Sequence, residues 1–144
     1  AFTALITLLN MGLVWIQSSA GINHPQKMEA LVGVLHAPIA WLLGVPAVES
    51  VQIGGLLGER AVLNEFFAYL DLSNMRQSLS PRSLTIATYA LSGFANPASV
   101  GMLAAAISNI APNRLSEAAS FGTRAMIAGL CTSYLSAAIA GVLL

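Results

Sequence analysis

Between Ser83 and Asn113 lie 31 consecutive residues without a Lys, Arg, Asp or Glu, and Asn96-Pro97 stands near the middle of them. As one straight helix the run would be about 46 Å long at 1.5 Å per residue. The hydrocarbon core of a bilayer is only about 30 Å thick. Pro97 has no amide donor and crowds the turn before it. Asn96, preceding a proline, is pushed away from helical dihedrals. The pattern predicts a broken helix over residues 83–111: two half-helices with an unwound link at mid-membrane.

The rest of the chain supports lipid as the solvent. Hydrophobic residues make up 56% of the 144, and charged residues 8%, against roughly 25% charged in a soluble domain. Six basic and six acidic side chains cannot cover the surface of a soluble domain of this size. With a net charge of zero there is no electrostatic basis for binding nucleic acid. The single Cys131 excludes an intrachain disulfide, and in its apolar run it reads as a small packing residue. The sequence opens inside an apolar run with no basic leader or cleavage site. No signal peptide is read, and the expectation is a segment of a longer chain.

Four further segments follow from charge and punctuation. Residues 1–19 are apolar and are read as a spanning helix, closed by Gly21, Asn23 and Pro25. Residues 28–46 are read as a second span, with Trp41 near an interface. Residues 48–75 are apolar but interrupted by Gly54, Gly55, Gly58, Glu59-Arg60 and Asn64-Glu65. Two short arms around a polar turn predict a re-entrant hairpin, which is tolerated at membrane depth only when it lines a cavity or is buried in protein. Residues 116–144 are read as the last span. Within it Ala125, Gly129, Ser133, Ala137 and Gly141 form a small-residue stripe for close helix approach. The predicted fold class is therefore all-α: a multi-pass membrane protein of spanning helices, a re-entrant hairpin and a broken helix. The loops at 71–82 and 112–124 each net +1, so the positive-inside rule assigns no orientation.

A hairpin followed by a broken helix is a transporter pattern, because helix breaks expose half-helix ends and free backbone groups at the midplane. Two polar constellations fall at the breaks. Glu65, with Asn64 beside it, is flanked by Leu63, Phe66 and Phe67. A carboxylate at that depth needs a partner or a cavity. It reads either as a solute-binding group, or as the partner of Arg60 or a helix-end charge. Asn96 and Ser99 read either as hydrogen-bonding groups for a solute, or as the cap of the second half-helix with Pro97 at its first position. His24 and His36 have no Cys or carboxylate at metal-ligand spacing, so no metal site is expected. Ser92-Gly93 lacks the surroundings of a nucleophile elbow. Gly54 and Gly58 read as a packing pair, since no Lys-Ser/Thr follows to make a phosphate loop. An intramembrane protease would need a Ser/His or Asp/Asp set, and a channel an uninterrupted pore. The expectation is a transporter, not an enzyme.

The stretch from Gly55 through Glu59-Arg60 and Asn64-Glu65-Phe66 to Ala68-Tyr69-Leu70 resembles the second re-entrant hairpin of the concentrative nucleoside transporters. Leu79-Ser80-Pro81-Arg82-Ser83 and Ala87 to Asn96, ending Gly93-Phe94-Ala95-Asn96, resemble that family's broken helix. Ile110 to Arg114 and Ser136 to Gly141 also match in kind and order, so the resemblance covers essentially the whole chain. It implies the second inverted repeat of the transport core, preceded by a scaffold helix at 28–46, as the single C-terminal part of a longer transporter. It further implies a homotrimer in the plasma membrane (a bacterial inner membrane) that imports nucleosides with sodium or protons. The coupling-ion site and the nucleobase contacts would lie in the first hairpin, outside this chain, and no other cofactor is implied. Substrate-binding residues carried over are Glu65, Asn96 and Ser99, which hold the ribose, with Asn64 beside them. Glu59 before Arg60, Pro97-Ala98 between Asn96 and Ser99, and Ser92 depart from the family's usual residues. The alternatives are a carrier of nucleobases or another small polar solute, and a fragment that does not transport.

Overall fold

In the computed structural model, which describes residues 2–144, the chain is helical, and no strand occurs among the described residues. The helices are α1 (Phe2–Ser19), α2 (Met28–Leu42), α3 (Ala47–Val62), α4 (Glu65–Asn74), α5 (Pro81–Leu91), α6 (Pro97–Ile110) and α7 (Leu115–Leu143), with a 3-10 turn at Pro112–Arg114. Only Pro112–Leu143 is by itself long and apolar enough to cross a membrane, among the described residues.

The second segment is shorter than the 28–46 that the charge pattern predicts. Gly44 has φ of +99°, a left-handed conformation that glycine adopts without steric cost. Pro46, which follows, is the cap residue of α3. The 15 residues of α2 therefore reach only about 22 Å. The last segment is longer than its apolar part: α7 begins at Leu115, so Glu117 and Arg124 lie on the same helix as the small-residue stripe. Pro38 is accommodated inside α2.

Packing is closest between α2 and α3. A β-carbon added to Gly54 would stand 2.6 Å from the main-chain nitrogen of Ala37. One added to Gly33 would stand 2.8 Å from the α-carbon of Gly55. The two backbones touch there, with no room for a side chain between them. Ile53, Leu57, Ile86, Leu91, Ala87 and Ala137 are fully buried and tie α3, α5 and α7 into one core. The outside is apolar: Trp15, Leu35, Leu42, Val48, Ile110 and Val142 are all exposed. A water-facing surface of this kind would aggregate, whereas lipid tolerates it.

Two polar ties hold the ends. Arg82 donates from Nε to the carbonyl of Gly44 (2.8 Å) and from a terminal nitrogen to the carbonyl of Gly141 (2.5 Å). Glu49, near the start of α3, accepts from the amide (2.9 Å) and hydroxyl (2.8 Å) of Ser80 and from the hydroxyl of Ser83. Ser80 also caps α5 by accepting from the Ser83 amide. The first helix joins through Asn10, which donates to both carboxylate oxygens of Glu29 (2.8 and 2.9 Å) and accepts from the Met28 amide (2.9 Å).

Candidate functional site

The broken helix opens over Ser92–Asn96, between α5 and α6. Asn96 is extended, with φ of −144° and ψ of 163°, as the following proline requires. Its Oδ1 accepts from the amide of Ser99 (2.9 Å) and from the Ser99 hydroxyl (3.1 Å). That is an N-cap, with Pro97 at the first helical position where no amide is missed. The helix resumes at once, so Asn96 and Ser99 share a face. The capping reading of Asn96 holds, and it does not exhaust the side chain.

The free half of the Asn96 amide points across to α4. Its Nδ2 donates to Oε2 of Glu65 at 3.0 Å. Glu65 is the first residue of α4, and Asn64 caps that helix by accepting from the amides of Phe66 (3.0 Å) and Phe67 (3.3 Å). The turn between α3 and α4 thus sets Glu65 against the gap in the broken helix. Glu65, Asn96 and Ser99 come together as one chain of hydrogen bonds. Asn64 stands next to them with its carbonyl oxygen committed to capping. Asn96 is 1% exposed, while Glu65 and Ser99 are half-buried. One oxygen of Glu65 and the Ser99 hydroxyl therefore retain accessible lone pairs.

The ion pair between Glu65 and Arg60 does not form. The Arg60 guanidinium is turned to the other side of the gap, onto the carbonyl of Ala90 in the last turn of α5, the carbonyl of Gly93 just beyond it and the hydroxyl of Ser133 of α7. The two ends of the break are therefore served from one hairpin, with a cation at the carboxyl end of α5 and a carboxylate near the amino end of α6. This matches the sign of each helix dipole.

A cleft of about 280 Å³ lies against the link, lined in part by Phe94, Asn96, Ser99, Val100, Met126 and Gly129. Phe94 is 76% exposed, so an aromatic face borders the same opening as the polar groups. Phe94, Ser133 and the destination of Arg60 are not found by reading polar residues at breaks. An unshielded aromatic inside an unwound link was the available signal for Phe94. For Ser133 the sequence offers only its place in the small-residue stripe, and nothing there points to Arg60, 73 positions away. Among the described residues no His, Cys and carboxylate group is arranged to hold a metal.

A broken helix with capped inner ends, faced by a helical hairpin that sets a carboxylate against the break, is the architecture of a secondary transporter. Residues 1–141 match the family described as Na+ dependent nucleoside transporter C-terminus, and the chain belongs to that family. It is 38% identical over 142 residues to the uncharacterized transporter YutK of Bacillus subtilis, covering 99% of this chain and 35% of that protein. It is 39% identical over 159 residues to solute carrier family 28 member 3 of Eptatretus stoutii, covering 99% of this chain and 23% of that protein. A solved structure of CNTnw in its intermediate 2 state superposes with a TM-score of 0.91 at 35% identity, over 99% of this chain and 36% of that one. The chain thus spans about a third or less of the length of the relatives it matches. The family consists of membrane transporters and not of enzymes.

Proposed function

We propose that this chain is the C-terminal part of a sodium-coupled nucleoside importer and supplies the ribose half of its binding site. The observation that carries the reading is the Glu65–Asn96–Ser99 chain at the gap of the broken helix. Ribose hydroxyls both donate and accept. Glu65 offers an acceptor, and Ser99 a hydroxyl that does either. A site built to bond a hydroxyl rejects analogues that lack it, because its own polar groups are left unpaired. Phe94 offers an apolar face on which a base can stack. The chain's relatives include a Na+ dependent family and a human sodium/nucleoside cotransporter, which favours sodium over protons as the coupling ion.

In this reading α3 and α4 form a re-entrant hairpin, α1, the 28–46 segment that contains α2, and α7 cross the plasma membrane, and the complete protein is a homotrimer. The test is uptake of labelled uridine by the complete transporter in cells without nucleoside uptake, with sodium and proton gradients imposed separately. Competition by unlabelled uridine but not by its 2′,3′-dideoxy analogue supports ribose recognition. Equal competition by free uracil would instead favour a nucleobase carrier.

A further inference from the structure

Arg60 heads the large side chains that the fold buries completely, at 0% exposure. A guanidinium stays charged at any ordinary pH, and a buried charge without partners is costly. Its partners are not carboxylates. Among the described residues the one ion pair joins Arg114 and Glu117 at the surface, and Glu65 is bonded to Asn96.

Neutral oxygens and one ring surround the charge instead. Nε donates to the carbonyl of Gly93 at 3.1 Å, one terminal nitrogen donates to the carbonyl of Ala90, and the other donates to the hydroxyl of Ser133 at 2.8 Å. The Ser133 hydroxyl passes its own proton to the carbonyl of Gly129 (2.8 Å), so it is free to accept. The ring of Tyr134 lies 5.9 Å from the guanidinium carbon, within cation–π range. Ala90 lies in the last turn of α5 and Gly93 follows it. The Ala90 carbonyl is one that the helix end leaves without an amide partner and that carries its negative partial charge, and the Gly93 carbonyl belongs to the unwound link beyond it. Gly93 is fitted to the contact, since a β-carbon there would stand 2.7 Å from the guanidinium. Two main-chain carbonyls, a hydroxyl and an aromatic face form a donor set for a cation, at the type of half-helix end where transporters hold ions.

We propose that Arg60 is a resident cation of the broken helix: its fixed charge fills the position at the carboxyl end of α5 that an inorganic ion would otherwise have to fill. It acts as a positioning residue. By fastening α3 to α5 and α7, it keeps the start of α4, and with it Glu65, against Asn96. This half of the gap is then set for solute with no ion bound to it. The inference rests on contacts alone and holds whichever solute is carried.

The experiment compares the complete transporter, purified and reconstituted, as wild type, Arg60→Lys, Arg60→Met and Arg60→Ala. Melting temperature is read without substrate, so the result stands apart from the identity of the solute. Guanidinium chloride and urea are added in parallel at millimolar concentrations, far below denaturing levels. The two have similar shape, but only one is charged. The expected result is a lowered melting temperature in Arg60→Ala that guanidinium raises saturably and urea does not, with no such effect on wild type. Arg60→Lys stays close to wild type. Arg60→Met loses about tenfold or more in solute uptake at equal membrane level, the scale of a lost buried charge contact. Equal rescue by urea, no rescue by guanidinium, or wild-type behaviour of Arg60→Met overturns the proposal. If the two neutral variants do not accumulate in membranes, Arg60→Lys decides. Accumulation and uptake near wild type support a requirement for charge, and their loss overturns it.

Discussion

Single residues at the gap do two jobs each, and that shapes what their replacement does. Asn96 caps α6 with its oxygen and holds Glu65 with its nitrogen. Asn96→Ala is therefore expected to cost about 1 kcal/mol of stability as a lost cap, with uptake falling further than that loss explains. Thermal melting and uptake on the same preparation separate the two effects. Glu65→Gln keeps the shape and an acceptor for Asn96 but removes the charge. We expect uridine uptake to fall by about tenfold or more at unchanged membrane level, the scale of a lost charged contact to a hydroxyl. Uptake within twofold of wild type would remove Glu65 from the site. The position of these residues was legible in the sequence because proline chemistry is local: Pro97 dictates the conformation of Asn96 and the start of α6. The partner of Arg60 was not legible. Its neighbour in sequence, Glu65, is the obvious counter-charge, yet the bonds go to carbonyls 30 and 33 positions away. No side-chain pattern announces a main-chain acceptor.

At the scale of elements, the helix breaks were readable and the helix pairings were not. The 28–46 segment closes on Gly44-Val45-Pro46, and its helix ends a turn earlier, at Leu42. Gly54 and Gly58 were read as a packing pair, but only the fold shows that their partner is Gly33 of α2 rather than another copy or another span. Because backbone faces backbone there, Gly54→Ala forces α2 and α3 apart. Overpacking of this kind typically costs about 1–3 kcal/mol, to be read as a lower melting temperature of the complete protein, with an unshifted one refuting the contact. The Glu49 tie predicts a second element-scale effect. Glu49→Ala leaves the two hydroxyls and the amide that it accepts without their acceptor, and the hairpin loses its hold on the start of α5. The expected loss is about 2 kcal/mol, the usual scale of hydrogen bonds to a charged group. Glu49→Gln should recover part of it in the same melting assay.

For the molecule as a whole, the apolar exterior makes a prediction that depends on surroundings rather than on fold. Cys131 is exposed on α7. In water such a thiol reacts with charged thiol reagents. In a bilayer a charged reagent is excluded from the hydrocarbon and does not reach it. In lipid nanodiscs Cys131 is expected to resist a charged methanethiosulfonate reagent until detergent denatures the protein. Prompt labelling in nanodiscs would place that face of α7 in water. The 144 residues expressed alone should insert without transporting, because they supply one side of a two-sided site. Accumulation of uridine by this segment alone would refute the division of labour in the proposed function.

The two buried or half-buried arginine clasps, Arg60 on Ala90 and Gly93 and Arg82 on Gly44 and Gly141, grip oxygens that every amino acid carries. A lineage cannot trade such a contact for its mirror image, as it can swap the two signs of an ion pair. Each clasp has one heritable side. Comparisons that infer proximity from paired substitutions will therefore find nothing at these points. Saturation mutagenesis will find intolerance of neutral residues at the arginines, and intolerance at the glycines they reach, by crowding at Gly93 and Gly141 and by backbone conformation as well at Gly44.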